Sequence, residues 1–203
     1  MQPPNANPQL LPNGFSYQSK VLSAQKSLDL FYYLQQNLNW QQPTIKVYGK
    51  SHVIPRLQCF IADRNVNYGY SGSKLRVEPW PNVLDAMRIR LSKTLAIPFN
   101  ALLVNLYRDG KDCMGWHSDD EEELGAQPTI ASVSLGAERI LKIKHKHNNE
   151  QHSIVLQSGS CLIMNGFSQR DYQHSLPKQQ RLKHPRINLT FRSCAKKEIE
   201  FCL

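Results

Sequence analysis

The sequence has no Cys-x-x-Cys pair, no apolar run long enough to cross a membrane, and fewer acidic than basic residues. Each absence excludes something. The five cysteines, Cys59, Cys113, Cys161, Cys194 and Cys202, are odd in number and scattered. That argues against a disulfide scaffold or a structural zinc site and reads as reduced thiols of a cytosolic or nuclear protein. No stretch approaches the roughly 18 apolar residues of a spanning helix, and the start lacks the charged-then-apolar pattern of an export signal. The expectation is a soluble protein with no membrane partner, not secreted, cytoplasmic in a bacterium and nuclear in a eukaryote. No internal repeat is visible.

What is present is a chain of 203 residues, 40% of them hydrophobic, which is long enough to bury one sizeable core. Lys and Arg number 25 against 16 Asp and Glu, so the surface is basic and should attract polyanions such as nucleic acid. One compact domain is expected, and with no segment demanding a partner helix, a monomer. Residues 1–14, rich in Pro, Asn and Gln, carry too little apolar surface to order themselves and read as a loose tail.

From about Ser27 to Leu38, Leu30, Leu34 and Leu38 recur every four residues beside Phe31, the pattern of one helix face. A second helix should follow Pro81, where Leu84, Met87, Leu91 and Leu95 form a stripe ending before Pro98. Between them the chain looks extended and turn-rich. After Pro98 the period changes to two: Leu103, Asn105 and Tyr107 share one strand face, and Leu102, Val104 and Leu106 the other. Short strand-like runs recur at Ile130–Leu135, Ile140–Ile143, Ile154–Leu156, Cys161–Met164 and Ile187–Phe191. Their spacing suits a mainly β antiparallel sandwich or jelly roll with the helices packed outside.

Trp116-His117-Ser118-Asp119 puts an imidazole and a carboxylate two residues apart, pointing the same way if the backbone is extended. His174 can supply a third ligand. Two His and one carboxylate leave three positions of an octahedron open, as a non-haem Fe(II) oxygenase needs. The alternative is a set of solvated or structural polar residues. His145, His147 and His152 lie in a Lys- and Asn-rich stretch that reads as an exposed loop, and His52 and His184 are isolated.

Arg186 to Arg192 alternates strictly. Arg186, Asn188, Thr190 and Arg192 fall on one face, and Ile187, Leu189 and Phe191 on the other. Two guanidiniums bracketing an amide and a hydroxyl suit a dicarboxylate, which Arg can grip bidentately at each end. From periodicity alone, an ordinary half-exposed strand with its polar face in water is the commoner reading, and only the choice of residues stands against it. Asn105 and Tyr107 can serve the same ligand or be polar groups bonded to backbone.

Asn105-Leu106-Tyr107, Trp116 to Glu121, His174-Ser175-Leu176-Pro177 and Pro185 to Arg192 together resemble the AlkB family of alkylation-repair dioxygenases. The resemblance runs from about Pro43 to Arg192 and points to the branch of eukaryotic nucleic-acid demethylases and their bacterial relatives. It implies a double-stranded β-helix over residues 98–203, preceded by helices and a nucleotide-recognition region over 15–97. It also implies Fe(II) on His117, Asp119 and His174. Arg186, helped by Tyr107 and Asn188, would hold the distal carboxylate of 2-oxoglutarate. Arg192 and Asn105 would lie near its other end, and Thr190 would line the pocket.

The implied activity removes N-methyl groups from 1-methyladenine and 3-methylcytosine in DNA, consuming 2-oxoglutarate and O2 and releasing formaldehyde, succinate and CO2. RNA or protein side chains are alternative substrates, and a catalytically idle nucleic-acid-binding module is a further alternative. A base inside a duplex must be flipped out to react. By the same resemblance, Tyr70 and the His117 ring would sandwich the base, with Tyr68 and Ser71 alongside. Asp120 and Glu121 would favour the positive charge of the methylated bases over unmodified ones. Tyr48 stands where duplex-active relatives carry a Phe wedge, and Arg56, Lys46 and Lys50 would contact phosphates.

Overall fold

Both helices form where the apolar periodicity predicts them. In the computed structural model, which describes residues 11–47, 49–64, 66, 69–70, 73–74 and 76–195, α1 spans Ala24–Asn37 and α2 spans Asn82–Leu95. The Ser23 side chain accepts a hydrogen bond from the Lys26 backbone N–H at 3.3 Å, satisfying one of the donors that the first turn of α1 leaves open. Leu30, Phe31 and Leu34 form its buried stripe, and Leu38 falls just past the last turn as the C-cap. On α2, Pro81 precedes the first turn, Leu84 is fully buried, and Met87, Leu91 and Leu95 pack partly against the same core.

Fifteen strands are described. Those before α2 are β1 (Phe15–Gln18), β2 (Thr44–Val47), β3 (Lys50–Val53), β4 (Leu57–Ala62), β5 (Gly69–Tyr70), β6 (Ser73–Lys74) and β7 (Val77–Glu78). After it come β8 (Ala101–Tyr107), β9 (Met114–His117), β10 (Ile130–Gly136), β11 (Arg139–His145), β12 (Gln151–Leu156) and β13 (Cys161–Met164). A third, short helix, α3 (Gly166–Asp171), then leads into β14 (Tyr172–Leu176), and β15 (Arg186–Arg192) follows.

Seven strands form one sheet in the order β1-β13-β10-β15-β8-β4-β7, and four form a second in the order β12-β11-β14-β9. Period two then sorts the side chains. From β8, Leu103 and Tyr107 enter the core between the sheets with Leu141, Ile143, Ile154, Leu162 and Met164, whereas Leu102, Val104 and Leu106 join Leu30, Leu34, Leu84 and Phe191 beneath the helices. This is the jelly-roll sandwich with external helices that the strand spacing predicts. At the turn from β10 to β11, Gly136 has φ +83°, and a Cβ there would sit 2.6 Å from the Pro185 carbonyl and 2.8 Å from the Phe31 ring. The missing side chain lets α1 lie down on the sheet.

Three expectations change. The loose tail does not reach residue 14, because Pro12 is buried, Leu11 packs on the inter-sheet core, and the Asn165 N–H donates to the Gly14 carbonyl at 2.9 Å. The boundary at residues 97 and 98 does not divide the sheet, since β1 pairs with β13 and β4 with β8. His145 and His152 lie in β11 and β12 rather than in a loop, and the His145 ring meets Tyr172 edge-on with centroids 4.9 Å apart. Among the described residues, no helix is long and apolar enough to cross a membrane.

Candidate active site

The two sheets meet over one pocket. The larger sheet supplies Asn105, Tyr107, Ser132, Arg186, Asn188, Thr190 and Arg192, and the smaller supplies His117 and His174, with Asp119 just beyond β9. Because β15 lies between β10 and β8, Arg186 is registered opposite Tyr107, and Asn188 opposite both Asn105 and Ser134. The polar face of β15 therefore turns inward, not to water. Leu103, Met114, Leu141, Leu156, Leu162, Met164 and Leu176 make up the apolar remainder of the lining.

His117 and His174 are a cross-strand pair of β9 and β14, and their ring centroids lie 4.2 Å apart. The His117 Nδ1 is 2.9 Å from the Gly115 carbonyl. Nδ1–H donating there leaves the Nε2 lone pair free to bind a cation. His174 is buried, and its Nδ1 has no hydrogen-bond partner among the described residues. Burial, reinforced by the neighbouring His117, lowers its pKa to about 3, so the ring is neutral and able to donate a lone pair.

Asp119 is buried, and its Oδ1 accepts from Arg192 Nη2 at 2.7 Å. Burial works to raise its pKa, but Arg192 and the two imidazoles outweigh it and hold it at about 2. The segment after β9 is tied down by α3 and the start of β14. Gln169 Oε1 accepts from the Asp119 N–H at 2.8 Å, Ser118 Oγ donates to the Tyr172 carbonyl at 2.9 Å, and Lys146 Nζ spans Asp120 and the Gln169 carbonyl. The three predicted ligands thus line one pocket. No group of three His, Cys, Asp or Glu among the described residues is arranged to hold a metal ion, and the Asp119 carboxylate rests on Arg192.

At the far end, Arg186 is 1% exposed. Its Nη2 donates to Ser134 Oγ at 2.9 Å, its buried Nε has no partner among the described residues, and its guanidinium carbon sits 5.4 Å over the Tyr107 ring. Burial pulls its pKa down to about 10, which still leaves it charged at neutral pH. Asn188 donates to Ser132 Oγ at 2.8 Å and to the Val133 carbonyl at 3.2 Å, and Thr190 Oγ1 donates to Asn188 Oδ1 at 3.4 Å. Asn105 Oδ1 accepts from Arg56 Nε at 2.9 Å and Gln58 Nε2 at 3.0 Å, which fixes the amide orientation.

That bond corrects one expectation. Arg56 is 4% exposed and works from inside on Asn105 and the Cys113 carbonyl, so it is not a surface phosphate contact. Asp120 is exposed and faces Lys146 Nζ at 3.5 Å, whereas Glu121 is half-buried. Lys50 is exposed. Tyr48, Tyr68 and Ser71 lie outside the described residues, and so do the side chains of Lys46 and Tyr70. Sequence reasoning missed Gln169, Ser132, Ser134 and Gln58. Only Ser132 and Ser134, two apart on β10, carried a signal.

A jelly roll that encloses two imidazoles, a carboxylate and an arginine-lined slot defines an oxygenase-type pocket. The chain belongs to the 2OG-Fe(II) oxygenase superfamily, which it matches over residues 14–192. Among curated proteins it is similar to several whose names mark them as AlkB homologues. It is 35% identical over 203 residues to "DNA oxidative demethylase ALKBH2" of Arabidopsis thaliana, covering 87% of this chain and 65% of the relative, and 40% identical over 156 residues to that of Bos taurus, covering 73% and 56%. The chain therefore spans less than two thirds of the length of these relatives. In fold it is similar to the solved structure of OsALKBH1, with a TM-score of 0.65 at 18% identity, covering 91% of this chain and all of that one.

Proposed function

We propose that this chain is an Fe(II)- and 2-oxoglutarate-dependent dioxygenase that demethylates N-alkylated bases in DNA, with 1-methyladenine and 3-methylcytosine as its substrates. The observation that carries the reading is Arg186. A charged guanidinium, fully buried, with an unpartnered Nε and no ion pair among the described residues, shares its pocket with two imidazoles and a carboxylate. Burying such a cation is costly without an anion, and a carboxylate entering the slot supplies one.

The donor set also suits the metal. His117 and His174 offer ring nitrogens from neighbouring strands of one sheet, Asp119 is an ionised carboxylate beside them, and two His with one carboxylate is the non-haem Fe(II) set. Iron bound there supplies the activation of O2, coupled to oxidative decarboxylation of 2-oxoglutarate to succinate and CO2, that hydroxylates the N-methyl carbon and releases formaldehyde. The chain's own residues do the rest. Arg186 and Tyr107 hold the distal carboxylate, Asn188 and Thr190 line the slot, Arg192 and Asn105 flank the metal end, and the leucines and methionines keep water out. Asp120 and Glu121, which follow Asp119 directly in the chain, would favour a cationic base. Lys146 offsets part of the Asp120 charge.

The test is formaldehyde release from methylated duplex DNA, single-stranded DNA, RNA and peptide, with Fe(II), 2-oxoglutarate and ascorbate. Turnover on DNA is expected. Methyl loss only from RNA or peptide moves the substrate, and DNA binding without methyl loss from any of the four leaves the idle binding module. Tyr48→Ala should lower duplex turnover more than single-strand turnover if that ring is the wedge. Equal losses on both substrates would remove it from that role.

A further inference from the structure

β11 opens on Arg139, which is 1% exposed and meets no carboxylate among the described residues. Its Nε donates to Gln179 Oε1 at 3.0 Å, Nη1 to the Asp109 carbonyl at 3.2 Å, and Nη2 to the carbonyls of Asp112 and Pro177 at 2.9 and 2.8 Å. These acceptors belong to two loops, residues 108–113 between β8 and β9 and residues 177–185 between β14 and β15. The loops lie so close that a Cβ on Gly110 would collide with the Gln179 carbonyl, and the Gln179 N–H donates to the Gly110 carbonyl at 2.8 Å. One loop begins directly after Tyr107, and the other ends directly before Arg186.

The charge is not needed for this stitching, since neutral donors could satisfy the same carbonyls with less desolvation. Its guanidinium carbon lies 5.6 Å over the Tyr107 ring, the ring that also carries Arg186 at 5.4 Å. Two buried cations on one phenol, neither in a direct ion pair among the described residues, make a positive end wall, which Asp109 and Asp112 offset only from beyond contact distance.

We propose that Arg139 is a positioning residue for the distal carboxylate of the co-substrate. Acting through Tyr107 and the two loops, it sets the preference of the pocket for a dicarboxylate over a monocarboxylate 2-oxoacid. The inference rests on the 2-oxoglutarate reading of the slot.

Protein loaded with Mn(II) is titrated calorimetrically with 2-oxoglutarate and with 2-oxobutyrate, which has the same keto acid end and no distal carboxylate. Wild type binds 2-oxoglutarate more tightly. Arg139→Met should weaken 2-oxoglutarate about tenfold and leave 2-oxobutyrate unchanged, narrowing the ratio by the same factor, with Arg139→Lys restoring part of it. Equal weakening of both acids, or of neither, overturns the proposal, because a merely structural arginine leaves the ratio alone. Should the Met variant fail to fold, Arg139→Gln, which is neutral but keeps two donors, carries the same expectation. If wild type does not prefer 2-oxoglutarate, the co-substrate reading fails first and this inference with it.

Discussion

Asp119→Asn is expected to abolish formaldehyde release while DNA binding persists. The amide keeps the size of the carboxylate and an oxygen for Arg192, but removes the negative charge set beside the two imidazoles. A divalent cation there would face a guanidinium with nothing to separate the two charges. Losing an outer partner of a metal ligand typically costs about 10- to 100-fold in affinity, and losing the ligand's own charge should exceed that. The measurements are Mn(II) affinity and product release on the same preparation. An asparagine variant that keeps both within tenfold of wild type would remove Asp119 from the metal site.

Asp119→Ala is the less informative change. It leaves Arg192, itself 3% exposed, without the carboxylate it now bonds at 2.7 Å. Breaking a buried pair from one side costs about 3–5 kcal/mol of folding stability, enough to confuse loss of chemistry with loss of structure.

The second large effect is at Arg186, and its two halves have opposite signs. Arg186→Met should weaken 2-oxoglutarate binding by about 2–5 kcal/mol, thirtyfold to several-thousandfold, as removing one partner of a buried charge pair does. Without 2-oxoglutarate the same variant should be as stable as wild type or more so. The guanidinium is fully buried, its Nε is unpartnered among the described residues, and the hydrogen bond that methionine cannot replace is the one to Ser134 Oγ. Replacing a poorly compensated buried charge by an apolar side chain of similar length is often neutral or stabilising. Urea unfolding with and without 2-oxoglutarate reads both halves. A variant that binds 2-oxoglutarate within threefold of wild type would overturn the assignment, and one that unfolds more readily in its absence would make Arg186 a structural residue. Arg186→Lys keeps the charge but not the planar fork, so an intermediate affinity is expected.

The alternation of β15 illustrates what can be read locally. Pleating alone puts Arg186, Asn188, Thr190 and Arg192 on one face, whatever the strand pairs with. It cannot say whether that face meets water or a pocket. Pairing with β10 and β8 settles that, by setting Ser134 and Asn105 on either side of Asn188. His117 and His174, 57 positions apart, become a cross-strand pair only once β14 lies against β9.

Arg56 shows the opposite case. A basic residue in a turn-rich stretch reads as a surface group, and nothing near it in sequence contradicts that. Its partner Asn105 is 49 residues away, and β4 must pair with β8 before the two can meet. Gln169 and Arg139 escaped notice for the same reason, being polar residues whose significance lies in distant partners. Likewise α3, at six residues, is too short to display a helical period, and β14 carries a polar run where an apolar one would have signalled a strand.

By itself, the sequence determined the two amphipathic helices, the period-two strands, the His-x-Asp pair and the two-faced arginine strand. Each of these is a consequence of backbone geometry acting over a few residues. The tertiary structure alone decided that Arg192 lies on Asp119, that Arg56 serves Asn105 from within, and that Arg139 joins two loops behind Tyr107. Such choices depend on which strands become neighbours. Chain segments dozens of residues apart set the burial and the partner of a charged side chain, and a local pattern carries no record of them.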